Sequence, residues 1–166
     1  MVDRDDGPAP EARPPTLADL VALCRYLNEA DARYLVLGGM AIIQAGFVRA
    51  TEDIDLLVDA AVENVERVKA ALMNLPDGAV REVQTDDLDR YVVVRVADEF
   101  VVDLMKAACG IRYEEASHMV DVVTIDGIPI PFANPALLWR TKQTMREKDR
   151  QDRVFLARLL SGEPPA

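Results

Sequence analysis

Only one histidine, His118, and two cysteines, Cys24 and Cys109, occur in 166 residues, and aromatic side chains make up 5% of the chain. Two thiols build no disulfide framework, and neither they nor His118 have companions at metal-ligand spacing, so a histidine–cysteine metal site is excluded and a reducing compartment is expected. Long apolar runs are missing too, and the start Met-Val-Asp-Arg-Asp-Asp has no positive segment followed by an apolar one. No membrane partner is expected, and the chain reads as a cytoplasmic domain. Basic charge is in short supply: 19 Lys and Arg against 29 Asp and Glu give a net charge of -10. A broad electrostatic grip on nucleic acid is therefore disfavoured, and a phosphate-bearing partner has to be met locally. No Gly-x-Ser-x-Gly elbow, Walker lysine loop or dinucleotide glycine fingerprint is present, which removes the main support for hydrolase and Rossmann readings.

What is present suits one compact domain. Pro8, Pro10, Pro14 and Pro15 crowd the start and Pro164 and Pro165 the end, so residues 1–15 and 161–166 read as flexible tails around a single domain over 16–160. Thr16 with Asp19 resembles a helix-start capping pair, and Leu17, Leu20, Val21, Cys24 and Leu27 follow at helical spacing to about Ala30. Tyr34 to Leu37 is a short apolar strand stopped by Gly38-Gly39, with a short helix over Met40 to Phe47. Asp53 to Asp59 reads as the next strand, and Val62, Val65, Val68, Leu72 and Leu75 as a helix ending near Pro76-Asp77-Gly78. The stretch up to Tyr91 leaves room for one more strand. Tyr91 to Val96 and Phe100 to Met105 form a hairpin around Ala97-Asp98-Glu99, and Asp126-Gly127 joins a second one, whose Pro129 and Pro131 place its last strand at a sheet edge. From Pro135 to Leu160 the pattern gives two helices, with Trp139 and Met145 expected in the core. The mixture predicts an α/β (α+β) fold: a mixed sheet containing antiparallel pairs, flanked by helices.

The chemistry concentrates at two places. In Thr51-Glu52-Asp53-Ile54-Asp55-Leu56, strand alternation sends both aspartates to one face and Ile54 and Leu56 to the other. Two carboxylates about 7 Å apart or less repel each other and favour a shared cation or a shared proton; their hard oxygens suit magnesium or manganese. A solvated strand end is the plainer account of an isolated Asp-x-Asp. Asp59, on the same face at the strand end, reads as solvated. Gly38-Gly39 sits at a strand-to-helix junction, where a missing Cβ lets a ligand approach the backbone and free N–H groups attract anions. A tight turn needing positive φ is the alternative.

Taken together, Gly38-Gly39, then Arg49-Ala50-Thr51-Glu52-Asp53-Ile54-Asp55 and an apolar strand, resemble the signature of the nucleotidyltransferase superfamily with its polymerase-beta-like fold. The Gly-Gly-Met-Ala-Ile-Ile opening and the Thr-x-Asp-Ile-Asp-Leu ending are most similar to its small bacterial branch of abortive-infection and toxin-type enzymes. The resemblance covers most of residues 34 to 105. It implies a metal-dependent transfer of a nucleoside monophosphate from a nucleoside triphosphate to a hydroxyl, with release of pyrophosphate. It also implies a third carboxylate on a later strand, for which Asp103 is the candidate as the only charge in Phe100 to Met105. By this resemblance Asp53 and Asp55 hold magnesium or manganese, and Asp103 holds metal or accepts the proton of the attacking hydroxyl. Gly38, Gly39 and Thr51 belong to the nucleotide site, the glycines facing the β- and γ-phosphates.

Residues 136 to 160 carry seven basic side chains against three acidic ones. A cationic segment in an acidic protein either holds phosphates or is a helix with a solvated charged face. Lys142 is the preferred phosphate contact and Arg49 the second. The Gly-Gly in place of the family's more usual Gly-Ser leaves room for a second reading: a catalytically degenerate binding module with a protein partner, such as a toxin–antitoxin component.

Overall fold

The structure is a computed structural model describing residues 2–3 and 12–163; most of the expected N-terminal tail and residues 164–166 lie outside it. Strand β1 (Val2–Asp3) is followed by α1 (Leu17–Glu29), β2 (Tyr34–Leu37), α2 (Gly38–Gln44), β3 (Asp53–Val58) and α3 (Val62–Leu72). A 3-10 turn over Ala79–Glu82 and a one-turn helix α4 (Asp87–Arg90) fill the stretch where a further strand had room. Then come β4 (Val94–Ala97), β5 (Val101–Met105), the two-residue strands β6 (Ala107–Ala108) and β7 (Ile111–Arg112), α5 (Tyr113–Ala116), β8 (Val120–Ile125), β9 (Ile128–Ala133), α6 (Pro135–Thr141) and α7 (Glu147–Leu160).

Helix α1 starts where the capping residues say it should. Thr16 accepts from the Asp19 backbone N–H, and the Asp19 carboxylate accepts from the Thr16 N–H, a reciprocal capping box. Arg13 adds two bonds to Asp19 and donates its backbone N–H to the Glu99 carbonyl, so residue 13 is tied to the domain. Burial of Leu20, Leu23 and Leu27 against α3, with Val65, Val68 and Leu72 facing back, covers the sheet. At about 25 cal/mol per Å² of apolar area, such side chains contribute roughly 1.5–3 kcal/mol each.

The main sheet runs β1-β4-β5-β3-β2-β9-β8 and is mixed. Its centre, β3 beside β5, is parallel, whereas β2–β3, β4–β5 and β8–β9 are antiparallel. Asp126 (φ 52) and Gly127 (φ 79) make the expected tight turn between β8 and β9. The edge assignment differs from expectation: β9 lies between β8 and β2, and β8 is the edge. The prolines act within the sheet instead. Lacking N–H donors, they leave β9 joined to β2 by the single bridge Val36↔Phe132. Met145, expected in the core, is fully exposed, because the helical pattern breaks between α6 and α7 and Met145 falls on the linker; Trp139 is 36% exposed. Among the described residues no helix is long and apolar enough to cross a membrane.

Candidate active site

One transverse row of the sheet sets the site. Asp55 on β3 is the register partner of Asp103 on β5, and Asp103 is in turn the partner of Arg95 on β4. Alternation then fixes what each face holds. Ile54, Leu56, Val58, Val102 and Leu104 are fully or almost fully buried on the packed face, while Asp53, Asp55 and Asp103 share the other. Leu57, next on the carboxylate face, is fully buried, which confines the acidic patch to the start of β3. One oxygen from each of Asp53, Asp55 and Asp103 lies within 4.8 Å of the others. The expected convergence of three carboxylates from two strands is thus present.

Their charges are only partly compensated. Burial raises the Asp55 carboxyl to about 8, reinforced by the negative charges of Asp53 and Asp103 and opposed by Lys142 and Arg146. Burial and the Asp103 charge likewise raise Asp53, against Arg95 and Lys148. The direct counter-ion is Arg95, whose Nε and Nη2 donate to the two Asp103 oxygens at 2.9 and 3.0 Å, with Nη2 3.8 Å from Asp53 Oδ2. Arg95 was missed from sequence, yet it is the one charge in Tyr91 to Val96. The hairpin register puts it opposite Asp103.

The glycine pair is part of α2 itself, and its backbone packs against the acidic strand. A Cβ at Gly38, which has φ +62, would overlap the Asp55 carboxylate; one at Gly39 would overlap the Thr51 side chain. Both glycines are needed for this close approach whatever else they bind. Thr51 is buried and donates its hydroxyl to the Asp53 carbonyl, pinning the entry to β3.

Two basic residues expected to meet phosphate are engaged within the protein. Arg49 makes a bidentate pair with Asp152 at 2.9 Å for both bonds and also donates to the Ala50 carbonyl. Lys142 Nζ lies 3.1 Å from Asp149 and 3.0 Å from Asp152. Burial by itself would raise Asp149, but the Thr144 hydroxyl and Lys142 hold it below the ordinary carboxylate range. Arg153 closes the cluster by donating to the Lys142 and Thr144 carbonyls. Asp59 is not solvated either: it accepts from Arg33 at 2.7 Å and from the Ala61 N–H, and sits below its usual range through that backbone bond and Arg33.

The aspartates and the α6–α7 linker face each other across a cavity of about 490 Å³. Gly38, Gly39, Arg49, Thr51 and Lys142 all line it, together with Arg146 and Lys148. The last two are exposed and form no ion pair among the described residues. The donor set fits magnesium or manganese: hard carboxylate oxygens close together, two of the carboxyls raised by burial and by the charge of neighbouring carboxylates. Asp53 and Asp55, with Asp103, would hold such an ion, which would supply charge neutralisation to a phosphoryl group.

No protein-family model and no curated protein sequence matches the chain. Solved structures do. A putative nucleotidyltransferase from Thermotoga maritima aligns over 88% of this chain and 87% of its own, with 16% identity and a TM-score of 0.50. An antigenic nucleotidyltransferase-like protein from Paracoccidioides brasiliensis aligns over 84% and 74%, with 16% identity and a TM-score of 0.52. The antibiotic-resistance factor ANT(2'')-Ia aligns over 89% and 86%, with 17% identity and a TM-score of 0.50. Identities this low speak to architecture alone, and the architecture is that of the nucleotidyltransferase fold.

Proposed function

We propose that the protein is a metal-dependent nucleotidyltransferase that moves a nucleoside monophosphate from a nucleoside triphosphate to a hydroxyl. The observation that carries this reading is the convergence of Asp53, Asp55 and Asp103 within 4.8 Å beside a cavity also lined by Arg146 and Lys148, which form no ion pair among the described residues. Magnesium or manganese held by the aspartates would neutralise the reacting phosphate and lower the cost of charge build-up. Arg146 and Lys148 would attract the triphosphate from the other wall, with the Gly38-Gly39 backbone available for close approach. The acceptor oxygen attacks the α-phosphorus, the bond to the β-phosphate oxygen breaks, and pyrophosphate leaves; the hydroxyl proton passes to Asp103 or to solvent. Rate comes mainly from in-line positioning and electrostatics.

The finer likeness to abortive-infection and toxin-type enzymes rests on the runs Gly38 to Ile43 and Thr51 to Leu56 alone. The second reading, a binding module without transfer and with a protein partner, is favoured by one observation, the Arg95 pairing that occupies Asp103. Incubation with α-labelled triphosphate, magnesium and a panel of hydroxyl acceptors separates the two. Label transfer by the wild type and none by Asp55→Asn supports the enzyme. Triphosphate binding without transfer to any acceptor supports the module, and equal transfer by both proteins overturns the proposed site.

A further inference from the structure

Arg95 is placed where its charge bears directly on cation binding. It lies in the transverse row Asp3–Arg95–Asp103–Asp55, and its side chain is 13% exposed while that of Asp103 is 6% exposed. The guanidinium satisfies both Asp103 oxygens and reaches to 3.8 Å from Asp53, so one cationic group already spans two of the three carboxylates. Such a fork takes up lone pairs that a divalent ion shared by those carboxylates would need. It also changes the charge of the cluster. Its positive charge lies beside two of the carboxylates to which a divalent cation would bind. A like charge this close, in a partly dehydrated cleft, is poorly screened.

We propose that Arg95 competes with divalent cations for Asp103 and thereby sets the metal affinity of the nucleotide-free protein. This rests on the metal-binding reading of the triad but not on catalysis. The contrasting role is that of an orienting group, in which Arg95 holds Asp103 while the remaining lone pairs bind metal and the fork persists. The two roles give opposite results when the charge is removed. Competition makes binding tighter without Arg95, and orientation makes it weaker.

The test is Mn²⁺ titration of the nucleotide-free protein, followed by the signal of free Mn²⁺, for the wild type, Arg95→Met and Arg95→Lys. Competition requires Arg95→Met to bind Mn²⁺ about tenfold or more tightly than the wild type, with Arg95→Lys in between because it keeps the charge but loses the fork. Equal or weaker binding by Arg95→Met overturns the inference and leaves the triad's metal site standing. Absence of Mn²⁺ binding in every protein overturns both. A measurement on the wild type does not depend on the variants folding: in a Mg²⁺ titration, the Arg95 Nε–H resonance should lose its protection from solvent exchange as the site fills. Protection that survives saturation means the fork persists, and competition is wrong.

Discussion

Two aspartate clusters face each other across the same cleft and are built to opposite ends. Asp149 and Asp152, one helical turn apart on α7, are met by Lys142, Arg49 and the Thr144 hydroxyl; the result is a closed network in which Asp149 titrates below its ordinary range. Asp53, Asp55 and Asp103 are three carboxylates with one direct guanidinium, and Asp53 and Asp55 titrate above theirs. The first cluster has its cations built in and serves to lock the α6–α7 linker to the loop before β3. The second has too few, which is a costly arrangement for a fold and a useful one for binding a cation. Charge compensation, not the presence of aspartates, separates a structural cluster from a candidate catalytic one.

The largest effects should come from exchanging the roles of the two. Asp55→Asn should lower transfer at least about a thousandfold, on the order of 4 kcal/mol of barrier, while melting at pH 8 stays the same or rises because a crowded charge is gone. Label transfer and a thermal melt on one sample check both halves. Asp152→Ala should do the reverse in kind. Its carboxylate is wholly buried and holds Arg49 and Lys142, with side chains 12% and 10% exposed. Removing it takes away the carboxylate partner of Arg49 and leaves Lys142 with Asp149 alone, and should cost about 3–5 kcal/mol, seen as a melting temperature lower by roughly 10 °C.

The next contrast is in pH. Asp55 titrates near 8 in the fold against an ordinary 3.8, so the folded state holds a proton that the unfolded chain releases. Its contribution is fully present below about pH 4 and is lost as pH rises toward 8. Asp149 is depressed, so its contribution is present above about pH 4 and is lost as pH falls through its folded value. In chelator, stability should therefore fall on both sides. Asp55→Asn should flatten the alkaline side and leave the acid side; a melting curve against pH that keeps its full alkaline slope in this variant would refute the assignment.

How much of this could be read beforehand depends on whether the information was local. The Thr16 cap, the β3 alternation and the lone charge of Asp103 in an apolar strand are local, and each is where the pattern puts it. Arg95 carried the same signal as Asp103 and could have been found by aligning the two arms of the hairpin. The fates of Arg49 and Lys142 could not, because their partners lie 103 and up to 10 residues away and only the folded loop decides which carboxylate each meets. Pro129 and Pro131 misled for a related reason. A proline removes a donor from one side of a strand, but topology decides whether that side needed one.

The smallest effect follows from the cations left over. Arg146 and Lys148 are exposed, line the cleft and influence the aspartates only at a distance, lowering Asp55 and Asp53 respectively. With no ion-pair partner among the described residues to strand, Arg146→Ala and Lys148→Ala should leave the melting temperature within about 2 °C, as surface substitutions do. If they meet the triphosphate, each should raise KM for it about three- to tenfold with kcat little changed, and the penalty should shrink as salt is raised, since exposed charges are screened within about 10 Å at 0.1 M. Lys142→Ala gives the counterpart, a lowered melting temperature from Asp149 and Asp152 losing their shared cation. If instead Lys142→Ala changes KM without changing stability, and Arg146→Ala and Lys148→Ala change neither, then the buried network is the phosphate site and the closed cluster opens when nucleotide binds.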